Sequence, residues 1–141
     1  MTVQAMLGPV LGLVLWTYVI WFWMYLTRIP AITRMRMRLD PNAPRGEQMA
    51  TLPPSVRWKA DNYNHLFEQP TLFYAVALAL AVLGDSSTLD LALAWAYVAV
   101  RVVHSLVQTL WNNIPVRFAV FSLSSLVLLA LTIRAALLLL S

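Results

Sequence analysis

The sequence predicts an all-α integral membrane protein built as a bundle of four transmembrane helices. Three observations carry that expectation. Hydrophobic residues make up 60% of the 141 residues and charged residues only 11%, too little polar surface for a soluble domain of this size. The apolar residues fall into four long stretches, and a hydrocarbon core needs about 20 helical residues to cross. The basic residues gather in one segment between the first two stretches. One domain over residues 1–141 is expected.

The first helix is expected over about residues 5–27, which hold no charge before Arg28. This stretch lacks the basic leader and small-residue cleavage site of a removable signal peptide, so it reads as a retained span. Residues 28–57 form the polar loop, with Arg28, Arg34, Arg36, Arg38, Arg45 and Arg57. There Pro30, Pro41, Pro44, Pro53 and Pro54 oppose any long helix. A second helix is expected over about 56–84, with Gly84 placed to cap it. A third runs over about 88–111, "NNIP" is a tight turn, and Pro115 suits the first turn of a fourth helix over 115–140.

Loop charges set the expected orientation. The 28–57 loop and Arg117 lie at one end of the bundle, Asp85 and Asp90 at the other. The positive-inside rule then puts the basic loop in the cytoplasm and both termini outside. The short loops favour a bacterial plasma membrane. The net charge of +4 reads as anchoring at that surface, so no nucleic-acid partner is expected. Arg34, Arg36 and Arg38 read as solvated or headgroup-bound, and Arg134 as snorkelling or paired. Trp21, Trp23 and Tyr25 read as an interfacial aromatic belt. The absence of cysteine excludes disulfides, thiolate metal sites and a cysteine nucleophile. Two histidines are too few for a metal site, and none is expected.

Polar residues inside the third stretch point to a site. Counted inward from the Asp85–Asp90 end at about 1.5 Å per residue, Arg101 lies roughly 16 Å deep, His104 about 21 Å and Gln108 about 27 Å. Glu68, counted back along the second helix, falls at about 25 Å. Arg101, His104 and Gln108 share one helix face, and Arg57, Asp61, Asn64 and Glu68 make a stripe on the other helix. Two such stripes on neighbouring antiparallel helices predict a pocket open toward the cytoplasm, with Arg101 reaching toward Glu68. A structural ion pair between those two residues is the plainer alternative.

The segment "RVVHSLVQTLWNNIPVR" and the stretch "NHLFEQPTLFY" carry a resemblance. Arg101, His104, Pro115 and Arg117 match in type and spacing the "RVxH … PxR" segment of the prostaglandin E synthase branch of the MAPEG family. This is the family of membrane-associated proteins in eicosanoid and glutathione metabolism. The second stretch is similar to its helix-two signature, a polar pair before a Glu and then a Pro. The likeness spans almost the whole chain. It implies a homotrimer with glutathione as co-substrate, bound between subunits near the cytoplasmic face, and chemistry on a lipophilic electrophile or hydroperoxide.

On that resemblance Arg117 would stabilise the glutathione thiolate, and Asn64, Glu68, Arg101, His104 and Gln108 would hold the co-substrate or support it. The chain departs from the family pattern at four positions. Gln108 stands at a tyrosine position, Phe118 at a serine, His65 at an asparagine and Asp61 at an arginine. The expected function is a membrane-bound glutathione transferase or peroxidase. The alternative is a non-catalytic relative that binds a lipid or a partner in the same cleft. A four-helix multidrug transporter would carry a carboxylate inside the first helix, where residues 5–27 have none.

Overall fold

The structure, a computed structural model, describes residues 2–141. Helix α1 runs Val3–Arg34, α2 Pro54–His65, α3 Gln69–Leu83, α4 Thr88–Leu106 and α5 Ile114–Leu140. A turn of π-helix, Val107–Trp111, continues α4, and a 3-10 turn, Met49–Thr51, precedes α2. With α2 and α3 joined as one span and α4 continued to Trp111, four helices are long and apolar enough to cross a membrane. The protein is a four-helix membrane bundle.

Two features depart from the expected elements. The first helix runs past Thr27 to Arg34 with Pro30 inside it. A proline there removes one backbone bond without ending the helix. The second span is broken. Pro70, in the first turn of α3, has no N–H to give Leu66 and crowds that carbonyl. The chain tightens instead, with Phe67 N bonded to Asn64 O at 3.1 Å and Glu68 N to His65 O at 3.2 Å. Residues beyond the break no longer follow the face they would occupy on an unbroken helix.

The Asp90 end of the bundle is closed by a capping box at α4. Ser87 accepts from Asp90 N, and the Asp90 carboxylate accepts from Ser87 N at 2.7 Å. The Asp90 carboxylate also takes the guanidinium of Arg134 from α5, so Arg134 is paired.

Packing between spans is tight where small residues allow it. Gly8 and Gly12 of α1 face the Trp95 indole of α4, and a Cβ at either glycine would lie 3.2 Å from that ring. Phe73 stacks on Tyr97 at 4.5 Å. Beside them Gln69 joins three helices. Its Oε1 accepts from Tyr97 Oη at 3.1 Å and from Ser124 Oγ at 3.3 Å, and its Nε2 donates to Ser125 Oγ at 2.7 Å. In α1, Trp21 and Tyr25 are exposed, whereas Trp23 turns inward under the ammonium of the buried Lys59 at 5.2 Å. Arg34, Arg36 and Arg38 are exposed.

Candidate functional site

The inward face of α4 positions the site. Arg101, His104, Ser105 and Gln108 recur at i, i+3, i+4 and i+7, and all four are buried. Arg101 is wholly buried. Its Nη2 lies 2.8 Å from Nδ1 of His65 on α2, while Nε and Nη1 have no partner among the described residues. The guanidinium carbon sits 6.0 Å from the centre of the Phe121 ring. His65 and His104 stack 4.9 Å apart at 25°, and Phe121 meets His65 edge-on at 5.4 Å.

The turn into α5 supplies a half-buried cation. The π-turn closes with Asn112 N bonded to Val107 O, and Asn112 takes a left-handed conformation with φ 52°. Asn113 then caps α5, its Oδ1 accepting from Val116 N at 3.1 Å. Pro115 occupies the first turn, where its missing N–H costs nothing. This geometry brings Arg117 back over the turn, and its Nη1 donates to Asn112 Oδ1 at 2.7 Å. Arg117, His65, His104, Ile114, Phe118 and Phe121 enclose a pocket of about 190 Å³. A guanidinium, two imidazoles and apolar walls can receive an anion attached to a greasy group. No carboxylate lines this pocket.

The expected site residues fall in three places. His104 and Arg117 share the pocket. Arg101 and Gln108 lie buried behind it, and the Gln108 Oε1 has no partner among the described residues. Asn64 on α2 and Glu68 in the break after it are exposed. The expected approach of Arg101 to Glu68 is therefore corrected. Arg101 bonds His65, and Glu68 sits exposed in the break before α3. Arg57, Asp61 and Asn64 of the expected stripe do share a face and line one cavity, but α2 ends at His65, before Glu68, and it is His65 that meets Arg101.

The polar groups of α2 that turn inward are Lys59 and Asn62, both buried, and His65, half-buried. Asn64 instead lines a separate cavity of about 400 Å³ with Arg28, Arg45, Arg57 and Asp61. A third, aromatic groove of about 460 Å³ lies between α1 and the α2–α3 break, walled by Tyr18, Trp21, Tyr63, Phe67 and Tyr74.

Sequence reasoning missed His65, Asn112 and Phe121 as parts of the site. A usable signal existed for one of them. An asparagine just before a capped "NIP" helix start suits a left-handed residue.

Four spans enclosing a buried arginine and a cationic pocket at one end define a polytopic helical membrane protein with an internal polar site. The MAPEG family model matches residues 6–137, and the chain belongs to the MAPEG family. No curated protein and no solved structure matches it.

Proposed function

We propose that the protein is a membrane-bound enzyme of the glutathione transferase or peroxidase type, acting on lipophilic electrophiles or hydroperoxides that arrive from the bilayer. One observation carries this reading. The guanidinium of Arg117, held by Asn112 at 2.7 Å, lines a pocket that has no carboxylate in its walls. A thiol with an ordinary pKa of about 8.5 is drawn toward the reactive thiolate beside such a cation. The chain has no cysteine, so the sulfur nucleophile comes with the co-substrate.

Glutathione needs a cation for its sulfur, cations for two carboxylates and an acid for its ammonium. Arg117 meets the first need. The guanidiniums of Arg28, Arg45 and Arg57 around the 400 Å³ cavity, with Asn64 on its wall, suit the second, while Asp61 opposes them. The exposed carboxylate of Glu68, which forms no ion pair among the described residues, suits the third. Arg101 and Gln108 then act from behind the pocket, and His104 on its wall. Asn64 and Glu68 lie on an exposed face, which a second copy would cover in a homotrimer. The same reading keeps the arginine-rich loop in the cytoplasm of a bacterial cell, with both termini outside its plasma membrane.

A second reading, a non-catalytic protein that binds a lipid, rests on the aromatic groove of about 460 Å³, whose walls suit an acyl chain. One experiment separates the two. Glutathione binding to the detergent-purified protein is measured by calorimetry, alongside conjugation of chlorodinitrobenzene. Binding at millimolar affinity or tighter, lost in Arg117→Ala, supports the enzyme. A stable oligomer with no heat and no turnover sinks it in favour of the lipid-binding protein.

A further inference from the structure

Two histidine rings line the pocket beside Arg117, and the bonding of one of them is polarised by its neighbour. A guanidinium carries five N–H donors and no lone pair. The 2.8 Å contact between Arg101 Nη2 and His65 Nδ1 therefore runs one way, with arginine donating. Nδ1 must offer its lone pair, so the proton of the neutral ring sits on Nε2. Arg101 is wholly buried, which turns the Nδ1 edge of the ring inward. Nε2, on the far side of the ring, bonds no group among the described residues and stays accessible. The stack with His104 and the edge of Phe121 hold the plane of the ring.

We infer that His65, locked by Arg101 as an Nε2–H donor, hydrogen-bonds the oxygen of a lipophilic hydroperoxide in this pocket and makes hydroperoxides its favoured substrates. The inference rests on the reading that a glutathione thiolate reacts beside Arg117. Attack of the sulfur on the terminal peroxide oxygen forms an S–O bond and breaks the O–O bond. The electron pair of that bond leaves on the inner oxygen, which takes a proton from water. The sulfur is oxidised to a sulfenic acid, and a second glutathione thiol converts it to the disulfide with release of water.

Negative charge gathers on the inner oxygen, and a fixed neutral donor helps most where charge develops. Ile114, Phe118 and Phe121 supply apolar walls for the alkyl part. Attack on chlorodinitrobenzene instead spreads charge over the ring and its nitro groups and breaks no bond to oxygen, so a donor placed for the inner peroxide oxygen helps it less. His65 is thus a specificity residue, and Arg101 is its positioning residue.

Two measurements test this. The chain has two histidines, so ring-labelled protein in detergent gives two imidazole patterns in long-range proton–nitrogen spectra, and the one lost in His65→Gln is His65. An Nε2–H ring is expected there, giving way to a tautomer mixture in Arg101→Met. An Nδ1–H ring in the wild type overturns the proposal. In the second measurement, kcat/KM for cumene hydroperoxide and for chlorodinitrobenzene is compared across wild type, His65→Leu and His65→Gln. His65→Leu should lose about tenfold more on the hydroperoxide than on the aryl chloride, and His65→Gln, which keeps an N–H donor, should recover part of that loss. Equal losses on both substrates overturn the role of His65 and leave the transferase reading standing. A wild type that binds no glutathione and turns over neither substrate overturns the transferase reading, and the substrate role falls with it.

Discussion

Asn112 holds Arg117: its Oδ1 accepts from Nη1 at 2.7 Å, and its own backbone makes the left-handed turn that brings the arginine there. The two jobs of Asn112 separate by substitution. Asn112→Gly keeps a residue at ease with positive φ but removes the carboxamide, so the fold should hold while glutathione turnover falls. Asn112→Ala should in addition lose part of the about 1–2 kcal/mol that a left-handed residue costs, because alanine keeps the Cβ strain without the local carboxamide bonding by which asparagine offsets it. Thermal melting alongside steady-state kinetics checks both. Full activity in Asn112→Gly would show that Arg117 needs no such support.

Arg101 tests whether a buried cation serves function more than stability. It is wholly buried, with Nε and Nη1 unpartnered among the described residues. Replacing a buried charge of this kind by an apolar side chain of similar length ranges from neutral to about 4 kcal/mol stabilising. Arg101→Met is expected to melt at or above the wild-type temperature and to lose activity. A large drop in melting temperature would make the arginine a structural brace instead.

Glu68 distinguishes a ligand contact from an ion pair. Its side chain is exposed and forms no ion pair among the described residues, so Glu68→Gln should change stability by less than about 0.5 kcal/mol. Glutathione affinity by calorimetry should nevertheless fall. A destabilised bundle with unchanged affinity would restore the structural pairing with Arg101.

Gly12 admits the Trp95 indole, and a Cβ added at that glycine would fall 3.2 Å from the ring. Gly12→Leu should destabilise the bundle by about 1–3 kcal/mol through overpacking. The double variant Gly12→Leu with Trp95→Ala should regain part of that loss, since the crowding partner is gone. Denaturation in detergent reads both, and additive losses would mean that the two helices part without clashing.

Much of the architecture was legible because it follows from composition and local chemistry. Four apolar stretches demand four helices, since a bilayer leaves no water for an unpaired backbone. Proline and asparagine in "NNIP" dictate the turn before α5. Arg101 and His104 share a buried face because α4 is regular through Leu106, and Gln108 joins them at the start of the π-turn. The partner of Arg101 was not legible in the same way. Depth counting placed Glu68 level with His104 and Gln108, within reach of Arg101, and the same count says nothing of rotation about the axis.

The sequence by itself determined the membrane class, the number of spans and the inward face of the third, because each depends only on residues near one another along the chain. Tertiary structure alone decided that His65 meets Arg101, that Glu68 stays outside and that Asn112 steadies Arg117. Those contacts depend on where the chain turns after Pro70 and Trp111. At such breaks helical periodicity no longer carries a residue's direction, and the packing of neighbouring helices sets it.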